Sequence, residues 1–141
     1  MSAARDAPIR VVVREEADVF IARARSRELA LDHGFPAAAA AAIATAVSEI
    51  ARNIVEHAGE GEIFLTTVLE RTRRGVVVLA RDPHPGIVDV AVAMQDGYST
   101  GGGLGLGLPS ARRLMDEFTI VSAPGSGTTV TMKKWVHVRC E

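Results

Sequence analysis

The amino-acid sequence predicts a two-layer α/β sandwich of the α+β kind, a mixed and mostly antiparallel sheet with helices packed on one face. Three observations lead there. Two helical stretches stand together early, after one short strand. Two β-branched runs, Glu62–Leu69 and Val76–Ala80, then follow as a hairpin with a longish connection. A glycine-rich run enters a third helix, and two more β runs come last. With 141 residues, 48% of them hydrophobic, the chain reads as one domain over residues 1–141 with a core of useful size.

In order, Ile9-Arg-Val-Val-Val13 is compact and β-branched, a first strand. Glu15 to His33 has helical composition, with Val19, Ala22, Leu29 and Ala30 available for a buried face, and Gly34 stops it as a C′ residue. Pro36 suits the first turn of a second helix, because its missing N–H is not needed there. That helix should run to about Ala58 and end at Gly59. Ile43, Val47, Ile50 and Ile54 follow the i, i+4, i+7, i+11 spacing of a buried stripe. Glu70 to Gly75 is a polar, Arg-rich turn between the hairpin strands. Arg81-Asp82-Pro83-His84-Pro85-Gly86-Ile87 follows the second strand as a rigid turn. Asp89 to Met94 reads as a short helix, and Gln95 to Gly103 as a polar, glycine-bearing cover. Ser110 to Phe118 is a good helix sequence. Phe118–Ser122 and Thr128–Met132 are the last strands, joined at Pro124-Gly-Ser-Gly127 and prolonged by Lys133-Lys134-Trp135. Two adjacent lysines suggest a solvated, aggregation-resistant edge strand.

The chain is organised around Gly101-Gly102-Gly103-Leu104-Gly105-Leu106-Gly107-Leu108-Pro109. Alternate glycines let successive backbone N–H groups converge with no Cβ in the way, and the following helix adds its own donors. The result is an anion cradle, most naturally for a phosphate chain. The alternative is a surface linker, although linkers are usually polar and Gly/Ser-rich rather than interleaved with leucine. Two familiar phosphate loops do not fit. No lysine follows as a P-loop requires. The G-x-G-x-x-G register puts Leu108 or Ser110 where the third glycine belongs, and the run comes late in the chain.

Glu49 and Asn53 lie one turn apart beside the buried stripe of the second helix. They are either boundary residues or side chains aimed into the pocket that holds the phosphates. In the second case Asn53 offers a hard oxygen to Mg²⁺, and Glu49 orients or deprotonates a nucleophile. Asp82, at the end of a strand and ahead of prolines and a glycine, marks either a tight turn or a turn over a site.

Other chemistries find little support. A net charge of −1 gives no electrostatic case for nucleic acid or membrane. Cys140 is the single cysteine, so no disulfide framework or cysteine metal site is expected. His33, His57, His84 and His137 are scattered without ligand spacing. No signal-peptide h-region opens the sequence, and the apolar run Ala37–Val47 is too short to span a bilayer. A cytoplasmic location is the expectation.

Taken together, these motifs resemble the GHKL ATPase superfamily, the Bergerat fold of gyrase, heat-shock chaperones, histidine kinases and MutL. The order is the same: an acid-x-x-x-Asn helix, Asp-x-x-x-Gly after a strand, a glycine-rich cover entering a helix, and Gly-Thr before the last strand. The chain is most similar to the small bacterial anti-sigma kinase branch. Ser48-Glu-Ile-Ala-Arg-Asn-Ile54, Asp96-Gly-Tyr-Ser-Thr100, the glycine run, Arg113-Leu-Met-Asp-Glu-Phe118 and Lys134-Trp135 carry that likeness.

The resemblance implies ATP and Mg²⁺ as ligands. It implies Glu49 as general base and Asn53 as Mg²⁺ ligand. Asp82 would accept the adenine amino group, and Gly86 would let the base approach the backbone. Gly101, Gly102, Gly103, Leu104, Gly105, Leu106 and Gly107 would hold the phosphates, and Gly127 and Thr128 would support Asp82. It implies a serine/threonine kinase acting on a STAS-domain antagonist, with a PP2C-type phosphatase as second partner. A switch module holding a sigma factor is the alternative. One departure stands out: the family writes Asp-x-Gly-x-Gly, and His84 occupies the first glycine position. That imidazole either faces solvent or crowds the adenine pocket.

Overall fold

A computed structural model describes residues 7–83, 108–123 and 127–137. The first strand, β1 (Ile9–Val13), leads into α1 (Glu16–Asp32). The Asp18 carboxylate accepts the backbone N–H groups of Arg14 and Glu15 at 2.9 and 3.2 Å, which fixes the entry to α1. At its other end Gly34 adopts φ 85°. The N–H of Phe35 reaches the Ala30 carbonyl at 3.0 Å and that of Gly34 reaches Leu31 at 3.2 Å, a Schellman closure that tucks Phe35 into the core.

The second helix, α2 (Ala37–Asn53), is the centre of the fold. Its stripe of Ile43, Val47, Ile50 and Ile54 is buried, as the spacing indicated. The helix does not stay α to its end. Ile54–Ala58 forms a π-helical turn, closed by Gly59 N–H donating to the Ile54 carbonyl at 2.8 Å, with Gly59 at φ 83°. Together α2 and this turn span 22 residues, Ala37–Ala58, long and apolar enough by composition to cross a membrane. The helix reaches Ala58 as the sequence indicates, and beyond the apolar run Ala37–Val47 it carries Glu49, Arg52, Asn53, Glu56 and His57. Here it is a core helix, with Ala40, Ile43, Ala44, Ala46, Val47 and Ile50 buried.

The remaining strands are β2 (Gly61–Leu69), β3 (Arg73–Asp82), β4 (Glu117–Ala123) and β5 (Gly127–His137), and the third helix is α3 (Leu108–Leu114). The sheet order is β1-β2-β3-β5-β4. Every pairing is antiparallel, so the sheet is not mixed among the described residues. Strict alternation builds the inner face. Val11, Val13, Ile63, Leu65, Val76, Val78, Val130 and Met132 are buried beneath the helices.

Two boundaries and the place of one strand differ from expectation, all through the pairing of β5. The turn expected over Glu70–Gly75 shrinks to Glu70–Thr72, because Arg73, Arg74 and Gly75 pair with His137, Val136 and Trp135. Consequently β5 lies inside the sheet, between β3 and β4, and Lys133 and Lys134 do not mark an edge. Lys134 instead donates to the Leu114 carbonyl at 2.9 Å, closing the C-terminus of α3. Trp135 stacks under the Arg73 guanidinium at 3.6 Å and donates from Nε1 to Glu117 at 2.6 Å. A Cβ on Gly75 would stand 2.8 Å from that indole ring, so only glycine fits beneath it. Finally, α3 stops at Leu114 rather than Phe118, because Glu117 and Phe118 already pair with Lys133 and Met132.

Candidate nucleotide site

The site forms where α2 changes its winding. A turn with i→i+5 bonding widens the helix and rotates the side chains beyond it. Asn53 is the last α-helical residue, and Ile54, His57 and Ala58 belong to the π turn. All four line one cavity. The opposite wall is the inner face of the sheet at the β3–β5–β4 end, where Ala80, Asp82, Thr128, Val130 and Ile120 contribute. Leu108, the first residue of α3, completes the lining.

Polar groups in this apolar cavity are few and placed by register. Asp82 of β3 lies directly opposite Thr128 of β5, which lies opposite Ser122 of β4. The Thr128 and Ser122 hydroxyls share a hydrogen bond of 2.9 Å. Across from this row, Asn53 Nδ2 and His57 Nε2 are buried and have no hydrogen-bond partner among the described residues. Among the described residues the carboxylate nearest His57 is Glu56, at 4.0 Å from Nε2. Buried polar atoms are normally satisfied. Two orphans facing one cavity are what a site for a polar ligand looks like before the ligand is bound.

Close approach of backbones sets Asp82. Gly127 begins β5 at φ 80°, and a Cβ there would stand 2.1 Å from the Asp82 carbonyl oxygen. Glycine at 127 therefore lets the end of β3 lie against the start of β5 and holds Asp82 at the cavity rim.

The residues expected from the sequence divide into three groups. Asn53, Asp82 and Thr128 come together around the cavity. Glu49 does not line it. That carboxylate takes an ion pair with Arg52 at 3.2 Å, with its side chain 30% exposed. Gly86, Gly101, Gly102, Gly103, Leu104, Gly105, Leu106 and Gly107 lie outside the described residues, as do His84 and the helix expected over Asp89–Met94. The sequence reading missed His57. Its position four residues beyond Asn53, on the same helical row, was the available signal.

A Mg²⁺ ion is compatible with this donor set. Among the described residues no three His, Cys, Asp or Glu side chains cluster. Such a site suits an ion held by one protein oxygen, substrate phosphates and water, the arrangement Mg²⁺ commonly takes. Asn53 is the residue on this cavity that can offer such an oxygen, through Oδ1; its buried Nδ2 is a donor and would face an acceptor of the ligand instead.

One acid outside the cavity is perturbed. Glu62, on the outer face of the sheet, accepts hydrogen bonds from Arg10 and Arg81, which hold its carboxyl below the usual range, Arg10 most strongly.

Comparison with known proteins agrees with the geometry. A model of the histidine kinase-like ATPase domain matches residues 12–134. Over 127 residues the chain is 44% identical to the serine/threonine-protein kinase RsbT of Bacillus subtilis (strain 168), covering 90% of this chain and 96% of that protein. It is 35% identical over 98 residues to the anti-sigma F factor of Caldanaerobacter subterraneus subsp. tengcongensis, covering 67% of this chain and 68% of that one. With the anti-sigma F factor of Bacillus subtilis (strain 168) it shares 32% identity over 99 residues, 65% of this chain and 66% of the other.

Proposed function

The chain belongs to the histidine kinase-like ATPase domain family, and from that footing we propose that it is an ATP-dependent serine/threonine-protein kinase of a partner-switching pathway. The 44% likeness to RsbT over nearly its full length supports the kinase assignment. The observation that carries the site is the cavity at the π turn, where the unpartnered Asn53 amide faces Asp82 and Thr128 across apolar walls. Apolar walls with one acid among the lining residues suit a purine, whose amino group donates to Asp82. Phosphate binding is assigned to Gly101–Gly107 on the motif alone.

The chemistry asked of the protein is mainly positioning. The cavity holds the base away from water, and Asp82 fixes its orientation. Thr128, tied to Ser122, supports that acid from the neighbouring strand. Asn53 is the residue that would hold Mg²⁺ through its amide oxygen, and the bound ion supplies charge neutralisation along the phosphates. A partner hydroxyl attacks the γ-phosphorus, the bond to the β-γ bridging oxygen breaks, and Glu49 takes the hydroxyl proton. For that step Glu49 leaves Arg52, its partner in the free protein.

The phosphoacceptor in this reading is a STAS-domain antagonist, and the second partner, engaged after transfer, is a PP2C-type phosphatase. The protein would work in the cytoplasm as a single unit spanning residues 1–141. The test is transfer of labelled phosphate from ATP to a purified STAS-domain antagonist. Bound Mg·ATP without transfer would overturn the kinase assignment. The anti-sigma F relatives favour a second reading, in which nucleotide sets the conformation of a module that holds a sigma factor. A sigma factor as the main captured partner, with no phosphotransfer, would select it.

A further inference from the structure

Among the described residues the cavity at the π turn is lined by four polar side chains, Asn53, His57, Asp82 and Thr128. Three of them have a task in binding Mg·ATP, and His57 has none. The His57 side chain is only 13% exposed. Its Nε2 is buried with no hydrogen-bond partner among the described residues. The Glu56 carboxylate, at 4.0 Å, is beyond hydrogen-bonding distance and is itself half in solvent. A buried nitrogen left unpaired lowers the stability of the free protein, and a ligand that pairs it restores what is lost.

The π turn sits at the Asp82 end of the cavity. Ile54, which begins the turn, and Asp82 both close on Gly61, where a Cβ would stand 2.9 Å from the one side chain and 3.1 Å from the other. The turn that carries His57 therefore adjoins the acid that accepts an exocyclic amino group. That acid alone does not specify adenine. Cytosine also carries an amino group, with a ring nitrogen beside it that matches N1 of adenine. Adenine N3 and N7 have no such counterpart in cytosine, and both are bare acceptors. An imidazole with its proton on Nε2 is a donor of the kind they need.

We propose that His57 is a base-specificity residue: its Nε2–H donates to N3 or N7 of the bound purine, so that Asp82 and His57 together select an adenine nucleotide over a cytosine one. The inference rests on the reading of this cavity as an ATP site. A buried donor rejects a ligand that merely fits, because the donor then stays unpaired in the complex. CTP would satisfy Asp82 and still leave Nε2 in that condition. The π turn is what makes the contact available, since it is this change of winding that brings His57 to the cavity alongside Asn53.

The test is calorimetric titration of the full chain with ATP, CTP and the 1-deaza, 3-deaza and 7-deaza analogues of ATP, all with Mg²⁺. Each analogue replaces one ring nitrogen by C–H. The native chain should bind ATP at least about tenfold more tightly than the 3-deaza or the 7-deaza analogue, according to which nitrogen His57 reaches. His57→Phe keeps a ring and removes both of its nitrogens. In that variant ATP and the same analogue should bind equally, and the preference for ATP over CTP should fall about tenfold. A second measurement needs no variant. In nitrogen-15 correlation spectra of the native imidazole, ATP should fix the His57 proton on Nε2, and the weaker analogue should not. Full affinity for both the 3-deaza and the 7-deaza analogue overturns the proposal. So does a loss of the same size in the native chain and in His57→Phe, or a loss confined to the 1-deaza analogue. Those outcomes leave ATP binding intact and the nucleotide reading with it. A native chain that binds no ATP removes that reading, and this inference falls too.

Discussion

Gly127 and Asp82 are locked in mutual contact. A Cβ at 127 would come within 2.1 Å of the aspartate carbonyl oxygen, and residue 127 holds φ at 80°. The first residue of β5 thereby fixes the last residue of β3, and with it the acid at the cavity rim. Gly127→Ala meets both a steric and a conformational penalty. Expected is a loss of about 2–4 kcal/mol in denaturant unfolding. In the fraction that remains folded, ATP affinity should drop while α1 and α2 keep their hydrogen-exchange protection.

Asn53 gives the opposite sign for stability. Its Nδ2 is buried without a partner among the described residues, which is unfavourable in the free protein. Asn53→Ala removes that orphan, and the free protein should gain on the order of 1 kcal/mol. Calorimetric titration with ATP, with and without Mg²⁺, should show the reverse for function. The Mg²⁺-dependent part of the affinity should vanish in the variant. A variant that loses stability instead would show that the amide has a structural partner in solution.

Glu62 provides the pH dependence. Its folded pKa is depressed by Arg10 and Arg81, below the ordinary value of 4.5. A depressed acid contributes stability above its unfolded pKa and loses it as pH falls through the folded one. Glu62→Gln should therefore be less stable than the native chain at neutral pH, and the gap should close progressively below pH 4.5. The groups are exposed, so added salt should also narrow the gap. Thermal melts across a pH series at two ionic strengths measure both effects.

What the sequence revealed, and what it hid, follows from the range of the forces involved. The Ile43, Val47, Ile50, Ile54 stripe and the stops at Gly34 and Gly59 are local signals, and each appears where expected. The π turn left no trace, because its residues have ordinary helical composition and only the Gly59-to-Ile54 bond distinguishes it. His57 stands four residues beyond Asn53, but that spacing alone does not place it in the cavity, which it enters through the π turn. The interior place of β5 was equally invisible. Lys133-Lys134-Trp135 reads as an edge until Arg73 and Gly75, some sixty residues earlier, are known to pair with His137 and Trp135. Asn53, Asp82 and Thr128 were legible as separate motifs, but their meeting at one cavity depends on antiparallel register, which a single sequence leaves open.

Glu49 tests the chemistry apart from the binding. Its carboxylate is paired with Arg52 and stands outside the lining of the cavity, so it contributes little to holding a nucleotide. If it accepts the proton of the attacking hydroxyl, its removal should act on transfer alone. Glu49→Gln should lower the rate of phosphate transfer by about 10²–10⁴-fold, with Mg·ATP affinity within about twofold of native. The pair with Arg52 is partly exposed and three residues apart on one helix, worth only a few tenths of a kcal/mol, so stability should hardly move. Arg52→Ala is the complementary variant. It leaves the carboxylate in place and removes its competitor, so transfer should be maintained or faster. A fall in transfer on Arg52→Ala as deep as that on Glu49→Gln would mean that the ion pair itself, rather than a free carboxylate, is the working group.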